Sequence, residues 1–225
     1  MARRFRQNLG LIIGASAGAL ALVLLLSPAQ EAWHARGPLT SGHADLACES
    51  CHRPAPGSLR QQLQANARHL LGLRASTADF GLQPAGNGEC LACHDSPDER
   101  HPVFRFNEPR FQKARDALHP EHCVSCHLEH QGMPVTLPDI DYCRHCHEDT
   151  RLKKDPLDVP HAALIEAGEW DTCLGCHDYH GNHRMTVASQ LGAAIPPARI
   201  LEYFRGGASP YPAEKKFEAR REPLR

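Results

Sequence analysis

The chain is poor in aromatic residues, poor in methionine and nearly without long amphipathic runs. Phe, Trp and Tyr make up 6% of its 225 residues, too few for an aromatic-rich core. Only Met133 and Met185 follow the initiator, so a thioether is available as a metal ligand at two places at most. No basic stripe runs along the sequence and the net charge is −1, which excludes nucleic acid as a partner. From Met185 to Arg225 there is neither cysteine nor histidine.

What is present is concentrated. All ten cysteines fall in five Cys-x-x-Cys-His pentads: Cys48-Glu-Ser-Cys51-His52, Cys90-Leu-Ala-Cys93-His94, Cys123-Val-Ser-Cys126-His127, Cys143-Arg-His-Cys146-His147 and Cys173-Leu-Gly-Cys176-His177. Zinc ribbons also use paired Cys-x-x-Cys units, four thiolates to a metal. Five pairs would leave one over, and the histidine after every second cysteine has no part in a ribbon. A disulfide within each pentad would close a tiny loop and restrain little chain. Covalent attachment of c-type haem needs all three residues: two thiols become thioethers on the porphyrin edge and the adjacent histidine ligates iron. The pattern predicts five haem c groups, with His52, His94, His127, His147 and His177 as proximal ligands.

Haem c is attached outside the bacterial cytoplasm, so an export signal is expected. Arg3, Arg4 and Arg6 precede an uncharged run from Leu9 to Leu26, which ends at Ser27-Pro28. That run fits a cleaved signal peptide or an uncleaved signal-anchor helix. It is longer than the usual signal core and near the lower limit for spanning a bilayer. No clean Ala-x-Ala site follows Ser27, and Trp33 suits a membrane surface. These features favour the anchor, with the arginines cytoplasmic and all five pentads on the periplasmic side of the inner membrane. A soluble periplasmic protein is the alternative.

About 190 residues remain to hold five porphyrins, a ratio that no ordinary protein core satisfies. The expected fold is mostly irregular with short α-helices, a multihaem cytochrome c architecture organised around covalent haems, plus one N-terminal transmembrane helix. Its divisions are an anchor at 1–30, a pentahaem domain at 31–184 and a haem-free arm or tail at 185–225. One helix is clear, about Gly57 to Leu73, with Leu59, Leu63, Leu70 and Leu73 on one face and His69 on or near it. The arm is either a solvated tail or a segment whose Ile200, Leu201, Tyr203 and Phe204 dock on the haem body or a partner. Only fifteen residues separate His127 from Cys143, so the third and fourth haems are expected to be near neighbours.

Eleven histidines lie outside the proximal positions: His34, His43, His69, His101, His119, His122, His130, His145, His161, His180 and His183. With so little methionine, they point to bis-histidine ligation and low potentials. The pentads, and His43 five residues before Cys48 in GHADLACESCH, resemble the small low-potential class III cytochromes c. In those proteins a histidine shortly before a pentad caps the same or a neighbouring haem. His119 stands four residues before Cys123, and His161 precedes the fifth pentad. His130 and His180 share a setting, three residues after a proximal histidine in CHLEHQG and CHDYHGNH. The expected distal set is therefore His43, His119, His130 and His161, with His101, His180 and His69 competing for the fifth place. His122 and His145 are the weakest.

The N-terminal helix adds a resemblance to membrane-anchored pentahaem subunits of quinol-oxidising respiratory complexes, such as that of alternative complex III. The chain differs from anchored tetrahaem quinol dehydrogenases, whose first motif is followed by a methionine ligand; here His52 is followed by Arg53-Pro54. The resemblance implies electron relay between a quinol-linked membrane complex and a periplasmic cytochrome or reductase, with no catalytic residue in this chain. The competing class is a small reductase of nitrite or a sulfur oxyanion, which needs one open iron. Pentahaem nitrite reductases carry a lysine-ligated motif, and none of the five motifs here ends in lysine.

Overall fold

The computed structural model describes residues 2–26, 35–40, 42–186 and 188–222. Ser27-Pro28, Trp33 and His34 lie outside them. The chain divides into two compact units, Met1–Pro38 and Leu39–Arg225.

The first unit is built on α1, Ala2–Leu26, a single helix of 25 residues. At 1.5 Å per residue it is about 37 Å long, enough to cross a hydrocarbon core of about 30 Å. Its segment Arg4–Leu24 has a mean hydropathy of 1.7 and is wholly exposed. Length and composition suit a membrane span, and a signal sequence has the same properties.

The second unit has short helices and no named strand among the described residues; backbone pairing is confined to isolated bridges, Pro54 with Leu82 and His183 with Lys215. Its first full helix, α2, spans Leu59–Leu70. Ser58 caps it reciprocally with Gln61, satisfying two otherwise unpaired backbone N–H groups. Its leucine face is not covered by polypeptide: Leu59, Leu63, Leu70 and Leu73 are 56, 58, 85 and 73% accessible. The buried residue is instead Gln62. It is tolerated there because its amide serves backbone groups on both sides. Nε2 donates to the carbonyls of Ala55, Pro56 and Gly57, and Oε1 accepts from the Gly81 N–H. This ties the loop after α2 back to the first pentad, where Gln83 N donates to Arg53 O.

The second pentad is carried by α3, Asn87–His94. Two 3-10 turns, Val103–Asn107 and Pro109–Phe111, lead into α4, Gln112–Leu118, with Phe106 and Ala114 buried beneath. Helix α5, Arg144–His147, belongs to the fourth pentad. Helix α6, His161–Ala167, precedes α7, Cys173–Cys176, which is the fifth.

Among the described residues, a cluster of buried side chains joins Ile140, Leu174, Ile200 and Phe204. Ile200 and Phe204 come from α8, Pro197–Phe204, so the arm packs on the body of its own chain. Gly175 makes this possible, because a Cβ there would lie 2.5 Å from Ile195 O; the two residues instead share a hydrogen bond. Beyond α8 the chain runs antiparallel to 182–184, with Arg184 N donating to Glu214 O and Lys216 N to Asn182 O. It ends on the second pentad, Arg220 N donating to Cys93 O at 3.0 Å. Only eight hydrophobic residues are buried among the described residues. That is far fewer than a protein-only core of this size uses.

Candidate haem centres

Each pentad histidine faces one further histidine across a gap of nearly constant width. Ring centroids are separated by 6.2 Å for His52 and His130, 5.8 Å for His94 and His43, and 5.9 Å for His127 and His180. They are separated by 6.1 Å for His147 and His101 and 6.2 Å for His177 and His161. The pairing is one to one, and every partner lies outside the pentads.

The gap can be compared with what a haem iron needs. Two metal–imidazole bonds of about 2 Å and two ring radii of about 1.2 Å place axial ring centres about 6.4 Å apart. The observed separations fall within a few tenths of that value, so the donor sets fit a six-coordinate haem iron at all five pentads. Zinc is a poorer fit. Among the described residues, no group of three or more His, Cys, Asp or Glu side chains is arranged to hold a metal ion.

Hydrogen bonds at Nδ1 settle which nitrogen six of the ten rings present. His52 donates to Gln83 O at 2.8 Å, His127 to Pro134 O at 2.6 Å and His101 to Tyr179 O at 2.6 Å. Carbonyls only accept, so Nδ1 carries the proton and Nε2 keeps its lone pair for a metal. Three of the facing histidines use carboxylates instead: His43 with Glu129 at 2.8 Å, His161 with Asp155 at 2.9 Å and His180 with Glu99 at 3.0 Å. A carboxylate partner makes the imidazole a more basic ligand. Asp155 also accepts from the His161 backbone N–H, which fixes the start of α6. Burial is the largest influence on His94, His101, His127 and His177, and it pushes each below the usual imidazole value. They are thereby held neutral, the form that ligates.

The thiols are also close to one another between pentads. The Cys123 thiol and burial push Cys90 up, and the Cys173 thiol and burial push Cys143 up. The second and third pentads therefore meet at their first cysteines, and so do the fourth and fifth. Burial raises the Cys126 thiol to about 11.

Of the sequence-expected distal histidines, His43, His130, His161, His101 and His180 are each brought against a pentad histidine, while His119 and His69 are not. His119 ends α4 in the left-handed conformation, φ 49°. Its side chain is 64% exposed, with Nδ1 3.4 Å from Glu121 Oε1. His69 turns to the carbonyl of Arg74 at 3.0 Å. His122 lies 3.9 Å from Glu121. His183 donates from Nδ1 to Asp178 at 2.8 Å and stacks on Tyr211, a contact that holds the arm. Sequence reasoning passed over Glu99, Glu129 and Asp155; an acidic residue near a histidine pair carries no local signature.

Residues 40–148 match the family model described as Cytochrome c3. No curated protein and no solved structure was found to match the chain. The matched segment, just under half of the chain, holds four of the five pentads and is similar to cytochrome c3, a match that supports a multihaem protein with covalently bound haem c and a role in electron transfer.

Proposed function

We propose that the chain is a pentahaem electron relay, held at the periplasmic face of the inner membrane by α1. In this reading it passes electrons between a quinol-linked membrane complex and a periplasmic cytochrome or reductase. The observation that carries it is the one-to-one pairing of five pentad histidines with five others at 5.8–6.2 Å.

Haem bound at the pentads supplies one-electron ferric–ferrous chemistry at low potential. The chain's own contribution is to hold that group. The ten pentad cysteines would form the thioethers, and His52, His94, His127, His147 and His177, each with its facing partner His130, His43, His180, His101 or His161, would hold the iron. An iron held by two imidazoles would be closed to substrates, which is what a carrier needs and a nitrite or sulfur-oxyanion reductase cannot accept. Nδ1 bonds hold the rings in one orientation, so little rearrangement accompanies a change of charge.

The reading is tested on protein purified from membranes. Expected are a mass equal to the polypeptide plus five haems, retention of α1 in the mature protein, and uniformly low-spin spectra. Reduction by a quinol analogue should require the partner complex in the same membrane. A stable high-spin ferric fraction in the native protein would overturn bis-histidine ligation at all five pentads.

A further inference from the structure

Two chain segments, 99–101 and 179–181, are interlocked around the histidines that face the third and fourth pentads. Glu99 stands at the middle of the lock. Its Oε2 accepts from His180 Nδ1 at 3.0 Å, and its Oε1 accepts from the backbone N–H of His101 at 2.9 Å. His180 faces His127 of the third pentad; His101 faces His147 of the fourth. A single carboxylate, 18% exposed, thus touches the supports of two neighbouring centres.

The remaining contacts run the other way. His101 Nδ1 donates to Tyr179 O at 2.6 Å, and Arg100 N donates to His180 O at 3.4 Å. The Tyr179 ring stacks on His101 at 4.2 Å and 14°, and meets His180 edge-on at 5.0 Å and 85°. Gly181 lets the segments close: a Cβ there would lie 2.8 Å from the Arg100 side chain. Neither histidine can turn without disturbing the other. Tyr179 and His180 also lie beyond residue 148, where the family match ends.

We propose that Glu99 is a positioning residue shared by the third and fourth haem centres, which fixes His180 and His101 together and sets the third centre below the fourth in potential. The inference rests on the bis-histidine reading above. The order follows from the acceptors. His180 is bonded to a full negative charge, whereas His101 Nδ1 is bonded to a neutral carbonyl. A carboxylate partner strengthens donation to iron and favours the oxidised state.

The test is Glu99→Gln in the full-length holoprotein, with potentials resolved by spectroelectrochemistry and assigned by NMR of the haem methyl groups. The amide loses the charge and cannot accept from both donors in the same way. The third centre should become easier to reduce by roughly tenfold in its equilibrium, about 59 mV for one electron, and the fourth should move less. The first, second and fifth should stay in place. Glu108→Gln, which removes an exposed carboxylate paired with Arg110, should move none of them. Should Glu99→Gln fail to hold five haems, Glu99→Asp keeps the charge but is one methylene too short to serve both donors. It should displace the same two centres by a smaller amount. Potentials unmoved in a variant that retains five haems would overturn the proposal. A wild-type protein with high-spin iron at the third or fourth pentad would instead overturn the ligation on which it rests.

Discussion

The ring of His180 lies 5.9 Å from that of His127 and is tilted from it by 33°, although His180 falls outside the segment that matches the cytochrome c3 family. The histidine that faces the third pentad thus comes from beyond the matched segment. His180→Ala should convert one haem of five to a high-spin ferric form, visible in absorption and EPR spectra, and leave four low-spin. His119→Ala should leave all five low-spin. Reversal of those two results would return the distal role to His119.

Ring planes distinguish the centres further. His52 and His130 are 24° from parallel, whereas His101 and His147 are crossed at 85°. Parallel axial imidazoles separate the iron dπ orbitals that crossed ones leave nearly equal in energy. The oxidised protein should therefore show an ordinary rhombic low-spin EPR signal from the first pentad and a strongly anisotropic one from the fourth. Substituting His101 should remove the fourth pentad's share of the anisotropic signal and leave that of the second, whose rings His43 and His94 cross at 68°.

Gln62 offers a test of how the first pentad is supported. Its amide holds Gly81 N, two residues before the Gln83 carbonyl that accepts from His52 Nδ1. Gln62→Leu removes the partner of the buried Ala55 carbonyl and of the partly buried Gly81 N–H, a cost of about 1–3 kcal/mol. Denaturant unfolding should register that loss, and the first centre should be the one whose spectrum broadens.

Ile200, with 0% exposure, anchors the arm. Ile200→Ala should cost about 2–5 kcal/mol, with the larger figure expected if the surrounding Ile140, Leu174 and Phe204 do not close in. Thermal unfolding of the holoprotein measures it. An arm that merely trailed in solvent would show no change.

The pentads could be read directly because everything they need is within five consecutive residues. The facing histidines could not be ordered in the same way. His119 and His161 both stand upstream of a pentad, yet α4 ends on His119 in a left-handed turn toward Glu121, while α6 begins on His161 with Asp155 beneath it. What separates them is the direction in which a helix terminus points, and that depends on distant packing. The carboxylates were still less visible, since Glu129 lies 86 residues from His43 and Glu99 lies 81 from His180. In α2 periodicity located the helix, but not the buried glutamine, Gln62, whose side chain satisfies four backbone groups.

The antiparallel return of the C-terminal segment, which brings Arg220 N to Cys93 O, bears on how the molecule matures. A chain translated and exported from its N-terminus presents the second pentad long before Arg220 has left the ribosome. The third likewise emerges ahead of His180. In the proposed haem protein the first and third pentads would therefore meet the ligation machinery before their facing imidazoles, His130 and His180, whereas the second, fourth and fifth would meet it with His43, His101 and His161 already present.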